Sequence, residues 1–260
     1  MFIIIIIIII ITIIFYILNK TINQKHRIYE KFNSDNPSQS TKIPKIIIQT
    51  WKTKDIPEKY KADIESVKKN NPTYQYLFFS DDDIDYFIKN NYPQYYDTYI
   101  KLPIVIQKID FFRYIAVYHY GGFYFDLDIT GLYPLDELLD YDAVFPVDQI
   151  ITENKCKLSR LKKYCKNNMN FLVGQYAFGA KPRDEFVKKL IDYINDNINS
   201  YIEKGKNNKS LRYVYTTTGP DFVTDMYLDY DNTYKIHILK YDKEQYFGKY
   251  AKHNHYGTWK

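Results

Sequence analysis

Along the chain, apolar and polar positions fall into three regimes. Phe2 to Leu18 carries no charge and contains nine consecutive isoleucines, Ile3 to Ile11. Residues 19–42 (NKTINQKHRIYEKFNSDNPSQSTK) are polar, with Asn-Pro and Ser/Thr clusters, and from Ile43 onward short apolar runs alternate with amphipathic stretches. At ~1.5 Å per residue the first regime makes a helix of about 25 Å, the short end of what crosses a bilayer core. In lipid only an internally bonded helix satisfies such a backbone, whereas in water its β-branched residues favour strand and aggregation. The pattern predicts a transmembrane anchor over 1–18 and a stem over 19–42. A cleaved signal peptide is the alternative; against it, no basic segment precedes the run and no small-x-small site follows it. Lys20, Lys25, Arg27 and Lys31 all follow the run and would hold its C-terminal side in the cytoplasm.

From Ile43 to Lys260 the alternation predicts one α/β layer domain. IPKIIIQTW (43–51) reads as a buried strand running into a loop. Pro57 opens a helix with Tyr60, Ile64 and Val67 on one face. YQYLFF (74–79) is a second strand, after which Ser80 caps a helix whose acidic first turn is Asp81-Asp82-Asp83. That triplet is a cap rather than a metal site. Pro103 to Tyr120 is a long helix stopped by Gly121-Gly122, and FYFDLDIT (123–130) is the strand that follows. AVFPV (143–147), FLVGQYAFGA (171–180) and KIHIL (235–239) are further strands, the last with His237 on its polar face. Pro182 to Ile202 is one amphipathic helix burying Phe186, Leu190, Ile194 and Ile198.

Charge narrows the function classes. The 36 Lys+Arg against 31 Asp+Glu are scattered along the chain, which describes a solvated surface and not a nucleic-acid footprint. Only five arginines occur, so planar recognition of an anion falls to one of them, and Arg113 is the one beside candidate chemistry. The 29 tyrosines are discounted, because an A/T-rich coding bias accounts for them equally well. Cys156 and Cys165 lie in a Lys-rich segment, where two free or loosely paired thiols are favoured over a disulfide and zinc is less favoured still.

Strand alternation sends Tyr124, Asp126 and Asp128 to one face, opposite Phe123, Phe125 and Leu127. Two close carboxylates repel, and a divalent cation with positions left for substrate phosphates relieves the repulsion. An isolated Asp-x-Asp also fits a solvated strand end. Here the preceding helix carries Lys108, Asp110, Arg113 and Tyr114, with Asp110 and Arg113 on one face, and leads through the glycine pair into the aspartates.

The run from Lys108 through Asp110, Arg113, Gly121-Gly122 and Tyr124 to Asp126 and Asp128, with Pro134-Leu135-Asp136 after it, resembles the DXD sugar-binding region of glycosyltransferase family 32. That family includes fungal Golgi α-mannosyltransferases and is related to the clostridial glucosylating toxins. Ile43 to Trp51 is similar to its first strand, with Ile48 where the family usually has His; Thr217-Thr218-Gly219-Pro220 is similar to its Thr-Gly-Pro loop. His253-Asn-His255-Tyr-Gly-Thr258-Trp259 is similar to its C-terminal His-x-x-x-Ser-Trp, with Thr for Ser.

The resemblance implies a single GT-A (Rossmann-like, nucleotide-diphospho-sugar) domain over 43–260 and a retaining hexosyl- or N-acetylhexosaminyltransferase. Its donor would be a UDP- or GDP-sugar and its acceptor a glycan or other hydroxyl. Asp110, Arg113, Asp126 and Asp128 would be catalytic. Asp126, Asp128 and His255 would hold Mn²⁺ or Mg²⁺. Gln49, Thr50, Trp51, Lys108, Tyr114, Gly122, Tyr124, Gly219 and Trp259 would bind the donor. The resemblance also implies a single-pass type II protein with its domain in a secretory, Golgi-like lumen, opposite to what the flanking charges favour; an N-glycan at Asn208-Lys209-Ser210 would decide. Two rivals stand beside this reading. One is a catalytically silent glycan- or nucleotide-binding module, the other a metal-dependent phosphoesterase, which usually needs more His and Asp ligands.

Overall fold

The computed structural model describes residues 12–13, 40–206 and 210–257. The chain divides into two compact units, Met1–Pro37 and Ser38–Lys260. The anchor apart from Thr12 and Ile13, the stem up to residue 39, Asn208-Lys209 and 258–260 lie outside the described residues. No helix among those described is long and apolar enough to cross a membrane.

In chain order, β1 (Ile46–Thr50), α1 (Glu58–Asn70), β2 (Gln75–Phe79), α2 (Asp81–Asn91), α3 (Pro93–Lys101) and α4 (Val105–Tyr120) lead to β3 (Gly122–Phe125) and β4 (Ile129–Gly131). Then come β5 (Ala143–Phe145), β6 (Val147–Ile150), α5 (Lys162–Lys166), β7 (Phe171–Val173) and β8 (Ala177–Ala180). Four helices follow, α6 (Glu185–Asp196), α7 (Ile198–Gly205), α8 (Leu211–Thr217) and α9 (Pro220–Leu228). The described chain closes with β9 (Ile236–Ile238), β10 (Tyr246–Phe247) and β11 (Ala251–His253).

The main sheet has six strands in the order β2-β1-β3-β8-β5-β9. β1 is parallel to β2 and β3, and β5 to β9, whereas β8 runs antiparallel to both its neighbours. Register puts Ile47, Phe123, Gly179 and Val144 in one line across it. On that face Ile47, Phe123, Phe125 and Val144 share a buried cluster with Val67 of α1 and with Ile129, Phe247 and Ala251 of the small sheet β10-β11-β4. On the other face Phe178 stacks on Phe145 at 5.0 Å and meets Tyr114 of α4 at 5.8 Å, while Phe186 of α6 stands edge-on to Phe145. Each such buried ring contributes roughly 1.5–3 kcal/mol, so the sheet is held from both sides.

Several sequence expectations change at boundaries. Ser80 caps α2 as expected, and the structure adds a capping box, its hydroxyl and the Asp83 side chain serving each other's backbone amides. Pro146 divides 143–147 into β5 and β6, and Gly174-Gln175-Tyr176 divides 171–180, so that β7 pairs with β6 while β8 joins the main sheet. The helix expected over 182–202 breaks at Asn197. FYFDLDIT is not one strand: β3 ends at Phe125, and Asp126 to Asp128 form a turn closed by the Ile129 amide donating to the Asp126 carbonyl at 3.2 Å. The thiols expected to be free or loosely paired are bonded, Cys156 to Cys165. Pairing of β6 with β7 folds the intervening loop back on itself and brings the two Cα atoms to 5.9 Å, which sequence spacing alone does not reveal.

Gly121 (φ +66°) and Gly122 (φ +86°) turn the chain from α4 straight into β3. A Cβ on Gly122 would collide with the carbonyl oxygen of Ile46. Gly122→Ala is therefore expected to cost about 1–3 kcal/mol, read in a thermal scan as roughly 2–4 °C per kcal/mol. His119 on α4 supplies a pH prediction: burial, helped by Arg183, lowers its pKa from 6.5 to about 4. Between those values the unfolded chain binds a proton that the folded chain refuses, so this contribution is intact above pH 6.5 and lost as pH falls towards 4. His119→Gln should flatten that part of the melting-temperature profile; an unchanged difference between wild type and variant from pH 7 to 4 would refute it.

Candidate active site

The parallel strands β1 and β3 end side by side, and a cleft of about 850 Å³ opens beyond their carboxyl ends, where open α/β sheets hold ligands. Thr50 and Trp51 leave β1 there, and Asp126, Leu127 and Asp128 leave β3. The turn that replaces the expected strand is pinned: the Asp126 amide donates to the Tyr176 carbonyl at 2.8 Å, and the Gln49 side-chain amide to the Asp126 carbonyl at 3.2 Å.

Beneath the cleft floor lies a buried cation. Arg113, 2 % exposed, sits 3.2 Å from Oδ1 of Asp110 and 3.2 Å from Oδ1 of Asp126. It also donates to the Gln175 carbonyl at 3.0 Å, and its guanidinium lies over the Tyr124 ring at 4.6 Å. Burial alone would lower its pKa, but Asp126, Tyr124 and Asp110 raise it above the ordinary value, so it stays charged. Asp110 accepts from Thr218 at 2.7 Å and from Gln175 at 3.3 Å; burial pushes its pKa up to about 6 against the pull of Arg113. Asp126 accepts from the Tyr124 hydroxyl at 2.9 Å, and burial raises its pKa too, with Asp128 adding to the rise.

Across the turn, Asp128 accepts the Tyr256 amide at 2.9 Å and lies 3.4 Å from Nε2 of His253. Burial would raise its pKa, but those two partners hold it below the ordinary value. β11 places His253 by pairing it with Ile129, and its ring stacks on Tyr176 at 4.3 Å. Atoms able to bind a cation on Asp126, Asp128 and His253 lie within 4.8 Å of one another. Nδ1 of His253 is buried and has no hydrogen-bond partner among the described residues. Two carboxylates and an imidazole suit a divalent cation of the Mn²⁺ or Mg²⁺ kind.

Of the residues the resemblance assigns, Thr50, Trp51, Asp110, Arg113, Tyr124, Asp126, Asp128, Gly219 and His255 line the cleft. Four assigned to the donor do not. Lys108 projects over Tyr99 at 5.5 Å, Tyr114 is buried and donates to the Thr218 carbonyl at 2.6 Å, and Gly122 is packed beneath Ile46. Gln49 is fully buried and orients the Asp126 turn, itself accepting from Tyr76 at 2.7 Å. Trp259 lies outside the described residues. In the candidate metal cluster His253 takes the place expected for His255, whose ring packs on His253 at 3.9 Å and on Tyr246 at 4.4 Å. Strand alternation alone puts the two on one face; what separates them is that β11 ends at His253, which pairs with Ile129, while His255 lies beyond the strand at φ +55°.

Sequence reasoning missed Asp148, Gln149, Arg160, Gln175 and Tyr215, which also line the cleft. None sits in a recognisable motif: Asp148 and Gln149 come from β6, Tyr215 from α8, and Arg160 and Gln175 from loops. Arg113→Met should strand Asp110 and Asp126 as like charges and cost about 3–5 kcal/mol, measured by urea denaturation. A loss under 1 kcal/mol would show that the cation does not hold the site together.

Residues 57–145 match the family model "Glycosyltransferase sugar-binding region containing DXD motif". The chain is 41% identical over 118 residues to inositol phosphoceramide mannosyltransferase 3 of Schizosaccharomyces pombe, covering 45% of this chain and 31% of that protein. It is 31% identical over 204 residues to the mannosyl phosphorylinositol ceramide synthase CSH1 of Saccharomyces cerevisiae, 76% of this chain and 46% of that one. With the initiation-specific alpha-1,6-mannosyltransferase of Candida albicans it shares 28% over 218 residues, 75% and 54% respectively. The chain thus spans about half or less of these relatives' lengths. In fold it is similar to the PaToxG glycosyltransferase, with a TM-score of 0.50 at 18% identity over 82% of this chain and 80% of that one. A UDP-bound glycosyltransferase domain from the YGT toxin gives the same score at 7% identity, over 76% and 80%. The resemblance drawn from the sequence and the mixed α/β glycosyltransferase fold are borne out.

Proposed function

We propose that this chain, which carries the DXD sugar-binding region of the family 32 glycosyltransferases, is a metal-dependent retaining glycosyltransferase acting on a nucleotide-activated hexose. The observation that carries the reading is the buried Asp110–Arg113–Asp126 arrangement opening onto Asp128 and His253 in one cleft. Asp126, Asp128 and His253 would hold the cation, which when bound supplies Lewis-acid stabilisation of the leaving diphosphate. Arg113 presents a fixed positive charge beside the developing negative charge without reorganising. Asp110, held by Thr218 and Gln175, stands ready to accept a sugar hydroxyl. Trp51 and Thr50 border the nucleotide. In a front-face displacement the anomeric carbon–diphosphate oxygen bond breaks as the acceptor oxygen bonds to the same face, and the acceptor's proton passes to the departing phosphate oxygen. No side chain need serve as base.

The relatives' names favour a mannosyl donor. Ile104, Val105, Ile106 and Ile109 give the cleft an apolar lip, with Val105 62% exposed, which favours an acceptor carrying a hydrocarbon part. Such an acceptor matches the ceramide in two of those names. The Cys156–Cys165 bond supports an oxidising secretory lumen over the cytoplasm. With Phe2–Leu18 as anchor, the catalytic domain then faces that lumen.

The test is a panel of UDP- and GDP-sugars assayed for Mn²⁺-dependent transfer and donor hydrolysis. Asp128→Ala should lower both at least about 100-fold while melting within a few degrees of wild type. Full activity in that variant sinks the reading, and nucleotide-sugar binding without turnover would favour the silent binding module instead.

A further inference from the structure

One part of the cleft lining is built differently from the rest. It comes from β6, from the loop to β7 that the Cys156–Cys165 bond closes, and from the α8–α9 corner. In a regular strand Asp148 and Gln149 would point to opposite sides, yet both line the cleft. The reason is a register shift in the β6–β7 pair: Val147 pairs with Val173 and Gln149 with Leu172, leaving Asp148 as the extra residue. Bulges of this kind re-aim side chains and concentrate beside active sites.

Asp148 is chemically unspent. Its carboxylate makes no hydrogen bond or ion pair among the described residues. Arg160, the cation nearest to hand, is committed to Asp221, its Nε donating to that carboxylate at 2.6 Å and its terminal nitrogen forming a second bond. Asp221 is 1 % exposed at the start of α9, so the pair is fixed in place. The Arg160 guanidinium lies 5.5 Å over the Tyr215 ring, which also lines the cleft. Burial pushes the Asp148 carboxyl up to about 6, against Arg160 and His253. An unpaired carboxylate in a confined cleft needs a donor. Arg160 is held by Asp221, so among the described residues no cation is bonded to Asp148, and a ligand hydroxyl would supply the donor.

We propose that Asp148, with Gln149 beside it and Tyr215 as a flat apolar platform, forms the acceptor subsite, binding vicinal hydroxyls of a polyol ring. The subsite and the Asp126–Asp128 turn open onto the same cleft. It rests on the glycosyltransferase reading. Asp148 is a positioning residue here: it orients the acceptor hydroxyl and takes no part in breaking the donor bond. The shared chemistry is a ring of vicinal hydroxyls, from a terminal sugar or from a cyclitol headgroup.

The experiment compares wild type, Asp148→Asn and Tyr215→Leu, each checked by thermal melting, with the donor found active in the panel above. Methyl α-mannoside and detergent-dispersed phosphatidylinositol are the acceptor probes, and transfer and donor hydrolysis are followed together. Asp148→Asn should raise the KM for the preferred acceptor and lower the transfer-to-hydrolysis ratio about tenfold, the loss expected for one charged hydrogen bond. Tyr215→Leu should shift the ratio the same way, and the better probe identifies sugar or cyclitol. An unchanged ratio in both variants overturns the subsite. So does an equal loss of transfer and hydrolysis, which would put Asp148 with the donor or the cation. Wild-type protein that hydrolyses donor but gives sugar to neither polyol also overturns it, whereas absence of both reactions overturns the underlying reading.

Discussion

One buried guanidinium organises this cleft. Arg113 is the only positive charge within hydrogen-bond reach of two carboxylates that burial alone would neutralise, and it satisfies Asp110 and Asp126 at equal distance among the described residues. Taking an arginine and two acids out of water costs several kcal/mol per ion, which is recovered by pairing their buried polar atoms, although Nε of Arg113 is buried and has no hydrogen-bond partner among the described residues. That requirement explains the surroundings. Gln175 gives its carbonyl to Arg113 and its amide to Asp110, Thr218 caps the other Asp110 oxygen, and Tyr124 offers both its ring and its hydroxyl. One net negative charge is left over, and it faces the opening.

The main sheet exists, from the site's point of view, to bring four separate stretches to that guanidinium. α4 supplies Asp110 and Arg113, the glycine pair reverses the chain within two residues, and β3 delivers Tyr124 and Asp126 back to the same point. β1 runs parallel alongside and contributes Gln49 and Thr50. The antiparallel β8 follows directly from the Gln175-Tyr176 corner, and the small sheet carries His253 in from the far end of the chain. The electrostatics therefore grade from a fully buried, charge-neutral pair to a partly open acidic turn within a few ångströms. Such a gradient suits a site that must hold a cation and a diphosphate at its mouth without losing its own order.

Chain alternation, the capping of α2, the glycine stop after α4 and the Asp-x-Asp placed behind it were legible because each depends on neighbours within a turn or two. The link between Asp110, Arg113 and the aspartates was also legible, since only the glycine turn separates them. Other features depended on where distant segments land. The aspartates share a side because a tight turn orients them, not because a strand alternates. His253 rather than His255 meets them because β11 pairs with β4 in one register and not another. The disulfide closes the loop between the paired strands β6 and β7, and Asp148 reaches the cleft through a bulge that leaves no mark in the residue pattern.

What the sequence determined by itself is local and periodic: the helix and strand alternation, the caps, and the run of residues whose order alone ties a buried cation to two carboxylates. What tertiary structure decided is which side chains from remote segments complete that chemistry. Hydrogen-bond register, bulges and loop closure are settled by the packing of strands far apart in the chain, and no window of neighbouring residues contains that information.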